Sequence, residues 1–250
     1  MKKLVRRVLI KAYKLLFQLV GLFPARPKLV MFESFLGKQY SDNPRAIFEY
    51  LKENHPEYRL FWSVDPRFME NFTGKDLNIV PRFSVKWLFL TASAKYWVVN
   101  SRMPLWIPKP KHTIYLQTWH GTPLKKLAAD IDEVYMPGTD TEKYKGNFLK
   151  EASNWDYLIS PNRYSTKIFR RAFAFERTII ESGYPRNDYL YLANHEQEIL
   201  RLKERYNLPT DKKIILYAPT WRDDQYYEKG KYKFELELDL KRMKEMLGDQ

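Results

Sequence analysis

The sequence contains no cysteine, which excludes disulfide scaffolds, thiolate zinc sites and cysteine nucleophiles. Glycine is scarce, nine residues in 250, and no glycine-rich phosphate loop of either common spacing occurs. No two histidines stand at metal-ligand spacing, and there is no nucleophile elbow. The fifteen prolines follow no repeat period, so collagen-like and low-complexity chains are excluded. Near the N-terminus the apolar run Leu15–Phe23 falls short of the ~20 residues that a membrane-spanning helix needs. Acidic residues are missing from residues 1–28 altogether.

What is present points to a folded protein. Hydrophobic residues make up 44% and aromatic residues 16%, which is too apolar for intrinsic disorder. A chain of 250 residues fits one large domain or two small ones. Net charge is +13, but eight Lys and Arg lie in residues 1–28, leaving the other 222 residues at only +5. The body is therefore mildly basic, and a distributed basic stripe for nucleic acid is not supported.

On a helical projection Lys2, Lys3, Arg6, Arg7, Lys11 and Lys14 share one face, with Leu4, Val5, Val8, Leu9, Leu15, Leu16, Leu19 and Phe23 opposite. Ile10 and Phe17 break the pattern by falling on the basic side. A basic amphipathic helix is suited to an anionic membrane surface. A helix packed on the protein's own core is the competing reading. A signal peptide is a third, although Phe23-Pro24-Ala25-Arg26-Pro27 has no small-x-small cleavage site.

From residue 28 onward strand and helix patterns alternate. Strands are predicted near residues 29–32, 59–64, 78–80, 96–99, 113–117, 157–159, 178–180 and 213–217. Helices are predicted near 44–53, 85–94, 142–152, 163–172, 195–206 and 238–247, with 222–233 as a loop. This alternation is the signature of the α/β class, a parallel sheet covered on both faces.

In such sheets ligands bind beyond the carboxyl ends of the strands. Four predicted ends carry proline, small or hydroxyl residues and nearby cations: Trp119-His120-Gly121-Thr122-Pro123, Ser160-Pro161-Asn162-Arg163, Gly183-Tyr184-Pro185-Arg186 and Ala218-Pro219-Thr220. In the first, Thr122 is expected to cap a helix beginning at Pro123, with Lys125 and Lys126 in the same turn, a terminus suited to phosphate. A neutral His120 there has the chemistry to take a proton from an attacking hydroxyl. Taken singly, each segment also reads as an ordinary turn or helix start. The acid clusters at residues 130–133 and 223–224 read as solvated surface, so no metal site is assigned.

Together these segments, with Phe32-Glu33-Ser34-Phe35, Ser41-Asp42-Asn43-Pro44, Gln117–Lys125 and Tyr217–Arg222, resemble the CDP-glycerol glycerophosphotransferases, the polymerases and primases of bacterial wall teichoic acid. The resemblance covers residues 28–250. It implies a two-domain glycosyltransferase fold of the B type with Rossmann-like halves. Residues 28–208 would form the N-terminal, acceptor-side domain, and 209–250 the start of the nucleotide-binding domain, after a membrane-surface helix at 1–27. It implies transfer of glycerol phosphate from CDP-glycerol to a hydroxyl of a lipid-linked teichoic acid acceptor, with release of CMP and no cofactor. The setting implied is the cytoplasmic face of the cell membrane. His120 would be the catalytic base, with Trp119, His120, Gly121, Thr122, Pro123, Lys125, Arg186, Pro219 and Thr220 binding substrate. The family's second His-Pro motif has no counterpart in these 250 residues, which predicts an incomplete second domain. An inactive membrane-surface or acceptor-binding fragment is the alternative.

Overall fold

The computed structural model describes residues 2–134, 138–219, 226–228, 231–232 and 236–247, with only the backbone described at 2–6, 226–228 and 231–232. Two compact units are resolved: residues 1–132 with 142–187, and residues 133–141 with 188–250.

The first unit is built on a seven-stranded sheet in the order β3-β2-β1-β4-β5-β6-β7. Its strands are β1 (Arg26–Glu33), β2 (Arg59–Val64), β3 (Ile79–Pro81), β4 (Ala94–Val99), β5 (Ile114–Gln117), β6 (Tyr157–Ser160) and β7 (Thr178–Glu181). Every pairing is parallel. The α/β expectation is thus met, and seven of the eight predicted strands are present. The interior strand β1 explains why a continuous apolar run is needed: Leu29 and Met31 enter one buried cluster and Val30 and Phe32 the other, so both faces are covered.

Helices α2 (Asp42–Asn54), α3 (Val85–Ser93), α4 (Thr141–Ala152) and α5 (Arg163–Ala172) follow the predicted pattern. Local chemistry sets two of the starts. Ser84 Oγ accepts the Trp87 amide at 3.1 Å, and Asn162 Oδ1 accepts the Ser165 amide at 2.9 Å.

The N-terminal helix α1 (Lys2–Val20) accounts for one of the two residues that broke its pattern. Phe17 is fully buried, its ring 6.1 Å from Trp87 and 6.4 Å from Trp97. Tyr13 donates to the Ser84 carbonyl at 3.2 Å and meets Trp106 edge-on. Helix α1 thus has a docking line through Tyr13, Phe17 and Val20 and a second apolar face that stays exposed at Val8, Leu9, Leu15, Leu16 and Leu19.

The second unit holds α6 (Asp188–Leu192), α7 (Glu196–Arg205), α8 (Leu240–Leu247) and an antiparallel hairpin of β8 (Tyr226–Glu228) and β9 (Lys231–Tyr232). His195 caps α7. Two expectations are corrected here. Residues 213–217 form no strand: Ile214, Ile215, Leu216 and Tyr217 are exposed, and no described strand pairs with them, so the apolar pattern lacks a ladder to join. The predicted loop at 222–233 includes the hairpin strands.

Candidate active site

The sheet reverses its order between β1 and β4, and the crevice at such a reversal is where open α/β sheets bind ligands. Register places Glu33, Val99 and Gln117 side by side at the carboxyl edge of β1, β4 and β5. The next residues along are therefore Ser34, Asn100 and Thr118, with Trp119 and His120 just beyond.

Trp119 adopts a left-handed backbone conformation, φ 52°. Gln117 Oε1 holds its amide at 3.0 Å. The turn sends the indole into the core against Phe148, Phe169 and Phe173. The His120 ring stacks on that indole, centroids 4.5 Å apart.

The His120 ring nitrogen Nδ1 lies 2.7 Å from the Asn100 carbonyl oxygen. A carbonyl only accepts, so Nδ1 carries the proton and the lone pair of a neutral ring sits on Nε2. This assignment rests on the partner's chemistry.

Asn100 is itself fixed from every side. Its Oδ1 accepts the Phe35 amide at 2.8 Å, and its Nδ2 donates to Ser34 Oγ at 3.2 Å and to Asp42 Oδ2 at 2.6 Å. Asp42, with a positive φ of 64°, holds the Arg186 guanidinium through its other oxygen. Arg186 Nη1 also donates to the His120 carbonyl at 2.9 Å. Asn43 is fully buried and closes the network. Its Nδ2 donates to the carbonyls of Thr118 (3.2 Å) and Trp119 (3.1 Å), and its Oδ1 accepts the Arg186 amide at 3.3 Å. Chain segments far apart in sequence thus converge on the turn that carries this imidazole.

The expected helix at Pro123 is absent. Residues 121–127 are irregular, and only a 3-10 turn follows at Ala128–Asp130. The Tyr184 hydroxyl donates to the Gly121 carbonyl at 2.7 Å and the Tyr164 hydroxyl to the Pro123 carbonyl at 3.3 Å. These tertiary bonds outweigh a costly helical nucleus. Thr122 is exposed and caps no helix, and Lys125 and Lys126 are exposed on the same irregular stretch, where Lys126 pairs with Asp132. No helix dipole faces a ligand here. Among the remaining expected residues, the structure brings Trp119, His120, Gly121 and Arg186 together. Pro219 is exposed in the second unit, and Thr220 lies outside the described residues.

Beside His120 lies a cavity of about 530 Å³, lined also by Trp119, Arg82, Ser101, Arg102, Tyr144, Phe148 and Glu151. Sequence reasoning missed Asn100, Arg82, Arg102 and Glu151. The signal for Asn100 was its place directly after a strand, but it carries no proline or glycine to mark it. Among the described residues no cluster of three or more acidic or histidine side chains is arranged to hold a metal ion.

Glu151 is buried, and its carboxyl is pushed up to about 7 by desolvation. This happens despite hydrogen bonds from the Tyr115 hydroxyl (2.9 Å), the Met103 amide (3.0 Å) and the Trp155 indole (2.8 Å). The folded state therefore holds a proton that the unfolded chain has released by ~pH 4.3. Stability from this group is complete below that pH and is lost as pH rises through about 7. Unfolding free energy measured from pH 5 to 7.5 should fall, and Glu151→Gln should remove on the order of 2 kcal/mol of that fall. Identical slopes in the two proteins would refute the assignment.

The family described as CDP-glycerol:poly(glycerophosphate) glycerophosphotransferase matches residues 15–250. The chain is 61% identical over 248 residues to the teichoic acid poly(glycerol phosphate) polymerase of Bacillus subtilis (strain 168), covering 99% of this chain and 33% of that protein. Among solved structures it resembles the wall teichoic acid polymerase TagF at a TM-score of 0.83 and 47% identity, over 98% of this chain and 61% of that one. A histidine-to-asparagine variant of TagF soaked with CDPG matches at a TM-score of 0.81 and 46% identity, over 98% and 61%. The chain thus spans between a third and about three-fifths of the proteins it matches.

Proposed function

The chain belongs to the CDP-glycerol:poly(glycerophosphate) glycerophosphotransferase family, and from that premise we propose that it serves transfer of glycerol phosphate from CDP-glycerol to a hydroxyl of a lipid-linked teichoic acid acceptor, releasing CMP. The observation that carries this reading is the orientation of His120. With Nδ1 committed to the Asn100 carbonyl, Nε2 is left as the proton acceptor of a ring that lines a cavity. The acceptor oxygen attacks the phosphorus that bears glycerol. Its proton passes to Nε2, and the bond from that phosphorus to the CMP oxygen breaks. Arg186 supplies positive charge toward the phosphate oxygens, Lys125 is given that role by resemblance, and Trp119 and the small Gly121 shape the approach. A Cβ at Gly121 would meet no atom within 4 Å apart from its own chain neighbours, so the space over this backbone is open. Pro219 and Thr220 are assigned to the donor by resemblance alone. The helix-end contribution of Thr122 and Pro123 falls away with the absent helix. In this reading residues 28–208 belong to the acceptor side and 209–250 to the nucleotide-binding side.

Calorimetric titration with CDP-glycerol tests the donor assignment. Saturable binding that weakens when Arg186 is replaced by glutamine is expected. No binding by the wild-type chain would favour a module without donor chemistry.

We further propose that the site works at the cytoplasmic face of the membrane with the chain bound peripherally. Among the described residues no helix is long and apolar enough to cross a membrane. The exposed line of α1 at Leu15 and Leu19, 58% and 49% accessible, offers apolar area, and Arg7, Lys11 and Lys14 are exposed cations. Each cation contributes ~1 kcal/mol near an anionic surface. The electrostatic part is screened by salt, and the apolar part is not. The chain should therefore sediment with anionic liposomes, less so at high salt. The pair Leu15→Ser and Leu19→Ser should release it at an unchanged unfolding temperature. A chain that stays in the supernatant at low salt would refute the membrane assignment.

A further inference from the structure

The cavity beside His120 is walled by two arginines with unused donors. Arg82 is nine-tenths buried, and its Nε donates to Glu33 Oε2 at 3.0 Å, but its Nη2 has no hydrogen-bond partner. Such a donor is expensive to bury unless something accepts from it. Arg102 lies with its guanidinium 4.5 Å from the Phe148 ring centre and 5.5 Å from that of Tyr144. Stacking fixes the plane of a guanidinium and leaves its N–H edge available for a bidentate oxygen ligand. Both side chains line the same cavity as the His120 ring.

Of the nearby carboxylates, Glu33 balances the charge of Arg82, whereas Glu151 makes no hydrogen bond to Arg102. Glu33 answers Arg82 through Nε and Ser63 through a 2.6 Å bond. Glu151 has both oxygens occupied by donors from Tyr115, Met103 and Trp155, and burial keeps it partly protonated near neutral pH. The remaining wall is aromatic and apolar, with Ser101 and Asn147 as neutral polar groups. A cavity of about 530 Å³ is within the ~300–1,000 Å³ range of small-molecule sites. Singly charged phosphate flanked by short polyol arms fits that chemistry: the guanidinium edge of Arg102 and the positive end of Arg82 for the oxygens, amide and hydroxyl groups for the polyol.

We propose that this cavity is a phosphodiester subsite, in which Arg82 and Arg102 hold the last phosphodiester of a polyol-phosphate acceptor and so deliver its terminal hydroxyl to His120. The delivery step rests on the transfer reading above; the anion site itself does not. Acceptors ending in a phosphodiester are then preferred over those ending in an uncharged polyol.

The test is a calorimetric titration of the chain with glycerophosphoglycerol, a phosphodiester with glycerol on both sides, and in parallel with CDP-glycerol. Wild-type protein should bind glycerophosphoglycerol saturably and more weakly as salt is raised. Arg102→Gln, a partly exposed position, should weaken that binding at least fivefold at an unchanged unfolding temperature. Arg82→Lys keeps a charge opposite Glu33 and should weaken it as well. The proposal is overturned if wild type shows no saturable binding, if Arg102→Gln binds the phosphodiester as wild type does, or if only CDP-glycerol affinity falls, which would give the arginines to the donor diphosphate. Phosphodiester binding that behaves as expected, in a protein that releases no CMP from CDP-glycerol, would uphold the subsite and sink the transfer reading instead.

Discussion

Replacing His120 by alanine should slow CMP release from CDP-glycerol by roughly 10²–10⁴-fold, the usual worth of a positioned general base. The fold should survive. The ring is partly exposed, and the hydrogen bond it loses, to the Asn100 carbonyl, contributes only ~1 kcal/mol net. Rate and stability therefore separate in this variant. The hydrogen-bonding pattern sharpens the expectation. Since Asn100 fixes the proton on Nδ1, a side chain that imitates only Nδ1 should not rescue the rate. Asparagine at position 120 offers such an amide donor and should be nearly as slow as alanine. Near-wild-type CMP release by either variant would remove His120 from the chemistry.

Asn43→Ala should cost more in stability than in any other respect, about 3 kcal/mol or more. The buried carboxamide satisfies the carbonyls of Thr118 and Trp119 and the amide of Arg186, and each group left without a partner costs ~1–3 kcal/mol. Activity should fall with it, because these bonds tie the start of α2 and the segment after β7 to the turn that carries His120. Denaturant unfolding gives the number. A loss below ~1 kcal/mol would mean that the turn is held by the Trp119 packing alone.

The sheet was legible because buried parallel strands need uninterrupted apolar runs, and those runs are visible at residues 29–32, 59–64 and 96–99. His120 was legible because it follows such a run at a strand end. Asn100 and Asp42 were not legible as parts of one network. Their partners lie 58 to 144 residues away, and nothing local announces those bonds. The helix expected at Thr122-Pro123 shows the opposite failure. There the local signal was clear, but two tyrosine hydroxyls from distant elements claimed the backbone carbonyls. Phe17 looked misplaced on α1 because the helix was assigned a single apolar face. It faces the core between Trp87 and Trp97 while the longer apolar line remains exposed. The apolar stretch at 213–217 has strand composition without a described strand beside it.

The most direct measurement follows the glycerol. CDP-glycerol labelled in its glycerol carbon is incubated with the protein and a membrane-embedded acceptor bearing glycerol phosphate, and label on the acceptor is counted beside CMP released. Transfer through His120 predicts one CMP for each labelled glycerol phosphate gained by the acceptor, with both signals lost together in His120→Ala. CMP release without label on the acceptor, or no CMP release at all, would contradict the assignment of this chain to glycerol phosphate transfer.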